Sequence, residues 1–109
     1  MSYFLKAGEG EWVATEPGVK RRILTHLDDL MIVEVAFEKG AVGSLHAHPH
    51  RQASFVAEGA FDVTISGRTE RLEKGGSFIV SSNEVHGCVA VEAGRLIDAF
   101  TPARKEFLG

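Results

Sequence analysis

The chain is poor in residues that staple or stiffen a fold: its 109 residues hold one cysteine, one tryptophan, one tyrosine and three prolines. A lone Cys88 has no partner for an internal disulfide, which suits a reducing compartment. No run approaches the roughly 20 apolar residues that cross a bilayer. The N-terminal stretch MSYFLKAGEGEW lacks a basic region followed by a long apolar one. These absences lead to the expectation of a cytoplasmic protein with no membrane partner. An excess of one charge is also missing, since 12 Lys and Arg against 15 Asp and Glu leave a formal −3. Lys20, Arg21 and Arg22 are the only basic cluster, so nucleic acid is not an expected partner. No stretch keeps a helical 3.6-residue period over three turns, and no internal repeat is visible.

What is present is alternation. In residues 30–37, Met31, Val33, Val35 and Phe37 alternate with Ile32, Glu34 and Ala36. In residues 60–65, Phe61, Val63 and Ile65 alternate with Asp62 and Thr64. Further strands are expected over 20–27, 54–58, 78–80, 86–91 and 95–100, separated by Asp28–Asp29, Ser66–Gly67, Gly75–Gly76 and similar turn signals. Short strands at this spacing predict an all-β sandwich or barrel. With 44% hydrophobic residues the chain suits one domain. Residues 1–19 are expected to form an arm or short edge strand, 20–100 the barrel and 101–109 a tail with a helical turn after Pro102. Trp12, in the arm, is a candidate for core packing, for closing one end of the barrel or for a subunit contact.

The chemistry is expected between Gly40 and Gly59, where GAVGSLHAHPHRQASFVAEG places His46, His48, His50 and Gln52 within a few residues. Residues two apart on a strand share a face, so His46 and His48 can converge. Pro49 predicts a turn, after which a second strand brings Gln52 back alongside the first. His86 follows an apolar run and a turn-rich loop in GGSFIVSSNEVHG. His46, His48, Gln52 and His86 would make a metal site of three imidazoles and one carboxamide. His50 shares their alternation but lies next to Pro49, and is read as a bystander.

These residues resemble the cupin family, a double-stranded β-helix or jelly roll defined by two motifs. Gly40, His46, His48, position 52 and Gly59 match the spacing of the first, with Gln52 where glutamate is usual. Gly75 and His86 match the second, while Ser81 and Asn83 replace its proline and second glycine. The sequence is also similar to small single-domain cupins of the KdgF type, which linearise 4,5-unsaturated uronates released by pectin and alginate lyases. That resemblance implies His46, His48, Gln52 and His86 as metal ligands, Asp98 as the acid/base and Arg104 as the clamp on the substrate carboxylate.

Four neutral ligands leave a divalent ion at its full charge, which favours a small anionic substrate. Ni, Fe, Mn, Co and Zn all suit the donor types. Asp98 lies in the apolar strand RLIDAF and must either work or pair, with Arg95 and Arg104 as candidate partners. Two other readings stay open: a non-haem iron dioxygenase, which Gln52 in place of a carboxylate disfavours, and a non-catalytic sugar- or metal-binding sensor. A free edge strand and the arm carrying Trp12 lead to the expectation of a homodimer.

Overall fold

The alternation read over residues 30–37 and 60–65 is realised as two strands of a ten-stranded, two-sheet sandwich, seen in a computed structural model that describes residues 3–109. In chain order the strands are β1 (Val13–Glu16), β2 (Val19–Leu27), β3 (Leu30–Phe37), β4 (Val42–His46) and β5 (Arg51–Glu58). They continue as β6 (Ala60–Ile65), β7 (Arg68–Glu73), β8 (Ser77–Val80), β9 (His86–Ala90) and β10 (Gly94–Thr101). All pairings are antiparallel. The larger sheet runs β1-β2-β3-β10-β5-β8 and the smaller β4-β9-β6-β7. Residues 1–2 of the expected arm lie outside the described residues; further along, β1 adds an edge strand to the larger sheet.

Side chains from both inner faces make the core. Phe37 and Leu96 of the larger sheet meet Phe61 and Val63 of the smaller, and Phe37 meets Phe61 edge to face at 5.1 Å between centroids. Edge-to-face contact aligns the positive ring edge with the negative ring face. A second cluster joins Met31, Val33, Phe100 and Ala103. The chain changes sheets between β5 and β6 at Gly59 alone, with φ at +79°, and a Cβ there would sit 2.6 Å from the Ala93 carbonyl oxygen. Only glycine satisfies both the backbone conformation and that close approach.

Two local expectations are revised. The strand after Pro49 does not return beside β4; it joins the opposite sheet, so Gln52 faces the histidines across the sandwich. The tail's helical turn does come after Pro102, though not directly: a 3-10 helix spans Lys105–Leu108, with Arg104 at its N-cap. Between them, Ala103 is buried and its N–H donates to the Asp28 carbonyl at 3.1 Å, tying the tail to the β2–β3 turn. Trp12 enters neither the core nor a barrel end. It lies half-buried with the Lys20 ammonium and the Arg22 guanidinium each 4.6 Å from its ring centre.

Candidate metal centre and pocket

Register brings the histidines together. His46 on β4 and His86 on β9 are direct cross-strand partners, with ring centroids 4.4 Å apart. His48 lies just beyond β4, yet its ring stays 5.4 Å from that of His46 and 4.8 Å from that of His86. One ligand atom from each of these three imidazoles falls within 4.8 Å of the others. From the opposite sheet, strand alternation turns Gln52, Ser54 and Val56 of β5 inward. Gln52 Oε1 then stands 3.1 Å from His48 Nε2 and 3.2 Å from His86 Nε2.

The donor set fits a cation. Each ring donates its Nδ1–H to a backbone carbonyl: His46 to Ser44, His48 to His50 and His86 to Glu84, at 2.8–2.9 Å. Burial, followed by the positive charge of Arg104, pushes His48 below the usual histidine range. Burial also lowers His86. With Nδ1 committed as a donor, each ring in its neutral form presents a bare Nε2 lone pair. Those of His48 and His86 face the Gln52 carbonyl oxygen, another acceptor, at distances that repel unless a positive centre lies between. Donors about 2.1 Å from one ion and at right angles to each other stand about 3 Å apart, close to the separations found here.

A chain of hydrogen bonds leads from this centre to Asp98. Gln52 Nε2 donates to Ser54 Oγ at 2.9 Å, and Ser54 donates to Asp98 Oδ1 at 2.6 Å. The first bond fixes the carboxamide so that its oxygen, not its nitrogen, faces the imidazoles. Asp98 is 6% exposed on β10, between Leu96 and Phe100 on the same inner face. Burial pushes its carboxyl up to about 6, against the opposing effect of the Ser54 bond. The ion pair weighed for Asp98 does not form: Arg95 instead binds Glu34 and Glu58, and Arg104 donates to Glu106 at 2.8 Å. Ser54 went unread in the sequence; its cross-strand register with Asp98 becomes visible only once β5 and β10 are paired.

A cavity of about 210 Å³ opens between the sheets, and His46, Gln52, His86, Asp98, Phe100 and Arg104 all line it. Arg104 stacks over Phe100 and Phe107, at 5.0 and 4.4 Å from their centres. Cys88 also lines the cavity, with burial pushing its thiol up to about 12. His50 contributes its carbonyl, which accepts from His48, rather than its ring. The loop before His86 grips the histidine turn: Asn83 N–H donates to the His48 carbonyl at 2.7 Å and Ser82 Oγ to that of Pro49 at 2.6 Å. Asn83 has φ at +63°, so it takes the left-handed conformation at the motif position where glycine is usual.

Comparison with known proteins agrees with this fold. The family profile described as "Cupin domain" matches residues 33–100. The pectin degradation protein KdgF of Dickeya dadantii (strain 3937) is 44% identical over 108 residues, 97% of either chain. Among solved structures, an RmlC-like cupin from Shewanella frigidimarina superimposes with a TM-score of 0.94 at 40% identity, over 98% of this chain and 96% of the other. KdgF from Halomonas sp. superimposes at 0.92 with 39% identity, over 98% and 99%.

Proposed function

This chain belongs to the cupin family, and on that premise we propose that it opens the ring of 4,5-unsaturated uronates from pectin or alginate breakdown, as a metal-dependent isomerase. The observation that carries this reading is one cavity lined by imidazoles and a carboxamide, a buried carboxyl and an arginine. A relative named as a pectin degradation protein supports the substrate class.

His46, His48, Gln52 and His86 would hold the divalent ion, with Ni, Fe, Mn, Co and Zn all compatible. When bound, such an ion supplies Lewis acidity toward sugar oxygens, undiminished because no ligand is anionic. Arg104 offers its planar guanidinium to the sugar carboxylate in paired hydrogen bonds. Asp98, ionised, accepts the proton of the anomeric hydroxyl as C1 becomes a carbonyl and the bond from C1 to the ring oxygen breaks. It returns the proton to that oxygen, so the product is an isomer of the substrate and no co-reactant is consumed. A carboxyl titrating at about 6 serves both steps near neutral pH. Ser54 aims Asp98 and Gln52 together.

The test is Asp98→Asn loaded with metal and given the unsaturated galacturonate monomer, with the open-chain product followed by NMR. Turnover should fall by about a hundredfold or more at unchanged metal content; undiminished turnover would sink the assignment. The iron dioxygenase reading has less support, because among the described residues the ligand cluster contains no carboxylate.

The lone, unpaired Cys88 supports a cytoplasmic setting, and no helix is long and apolar enough to cross a membrane among the described residues. We extend the proposal to a homodimer, supported by the exposed apolar Phe55 and Ile79 on the outer face of the larger sheet.

A further inference from the structure

The basic triplet Lys20, Arg21 and Arg22 does not act as a patch. Alternation along β2 sends Lys20 and Arg22 outward onto Trp12, while Arg21 turns inward with Val19 and lines the cavity. There its guanidinium lies 3.9 Å from the centre of the Phe107 ring, the same ring that carries Arg104 at 4.4 Å. Two cations thus share one aromatic ring on one patch of cavity wall. Like charges held this close repel, and only partial relief is present: Glu106 binds Arg104, while Arg21 has no carboxylate within ion-pairing distance among the described residues. The other acids lining the cavity are engaged elsewhere. Glu16 accepts from Ser44 Oγ at 2.8 Å, and Asp98 accepts from Ser54.

We propose that Arg21 is a substrate-binding residue which, with Arg104, forms a two-arginine clamp for the carboxylate of a sugar acid and so selects uronates over neutral sugars. Phe107 serves as the common platform: stacking on it orients each guanidinium, leaving N–H edges for an oxyanion. An entering carboxylate supplies the negative charge the pair lacks, and two planar forks hold it more selectively than one. Arg21 sits on β2 in the larger sheet and Arg104 in the tail, so the bound carboxylate joins two segments that approach each other at the cavity wall. The inference rests on the reading that this cavity takes a small sugar acid, but it does not need the ring-opening reaction.

The experiment is calorimetric titration of D-galacturonate and, separately, D-galactose into metal-loaded wild type, Arg21→Met and Arg21→Lys. Methionine keeps an unbranched stem against Phe107 and removes the charge; lysine keeps the charge without the fork. Wild type should prefer galacturonate, and Arg21→Met should lose at least about tenfold in galacturonate affinity while metal content and weak galactose binding stay unchanged. Arg21→Lys should fall between them, and the wild-type preference should shrink with added salt. Galacturonate binding by Arg21→Met equal to wild type overturns the clamp, as does wild type that does not distinguish galacturonate from galactose. Wild type that binds galacturonate through Arg21 yet leaves the unsaturated monomer unconverted would keep the clamp and remove the reaction.

Discussion

Asp98 carries opposite demands for stability and for the proposed activity. Its carboxyl is raised from 3.8 to about 6 by burial, so the folded protein holds this proton more tightly than the unfolded chain does. Its contribution to stability is greatest below pH 3.8, declines as pH rises, and is fully lost above about 6. The loss near pH 7 amounts to up to about 3 kcal/mol. In metal-free protein, Asp98→Asn should therefore be more stable than wild type by up to that amount near pH 7, with little difference near pH 4. Urea denaturation at both values checks it, and an equal offset at the two would refute the linkage. The same substitution that is expected to remove turnover should thus strengthen the fold. The histidines make a separate prediction: wild type should carry near-stoichiometric metal by plasma mass spectrometry, and His48→Ala, purified without a metal-affinity tag, should lose most of it. Metal absent from wild type and not regained on reconstitution would leave the histidines structural.

At the scale of elements, β5 and β10 carry the Gln52–Ser54–Asp98 side of the site, and their pairing hinges on the crossing at Gly59 and Gly94. A Cβ on Gly94 would lie 2.3 Å from the Glu58 carbonyl oxygen, a backbone atom that cannot swing aside. Gly94→Ala should therefore destabilise by about 2 kcal/mol or more and lower metal occupancy with it, since β10 holds Asp98 and β5 holds Gln52. Denaturation and metal analysis on one preparation test both; an unchanged midpoint would show that the crossing can relax. Strands such as 30–37 and 60–65 were legible because period two is written directly in their residues. The partners of β5 were not, because Pro49 signals a change of direction without saying which sheet receives the chain. The same limit hid Ser54 and the inward turn of Arg21: both follow from alternation along strands whose faces are assigned only when the sandwich closes. The missing proline and glycine before His86 had a local answer, an asparagine in the left-handed conformation.

At the scale of the whole molecule, the sandwich separates its faces by chemistry. The inner face grades from the packed Phe37–Phe61 cluster to the polar line Gln52–Ser54–Asp98 and the histidines opposite. The outer face of the larger sheet is divided, with the Trp12–Arg22–Glu34–Arg95 group toward one side and an apolar stretch bearing Phe55 (49% exposed) and Ile79 (74%) on the other. If a second copy covers that stretch, Ile79→Asp should shift sedimentation from dimer to monomer at micromolar concentration while metal content stays constant. A wild type that sediments as a monomer would dispose of the dimer.

The backbone bonds to the three imidazoles have one more consequence. Carbonyls of the chain's own backbone aim each ring without an ion, so an ion that binds as proposed would do little to shape the site. If His46, His48, Gln52 and His86 hold an ion as proposed, their imidazole and carboxamide donors, of borderline softness, would discriminate weakly among late first-row divalent ions. Which one would occupy the site is then set mainly by the ions its surroundings supply. Protein from cultures grown on different trace metals should carry different passengers in an unaltered frame.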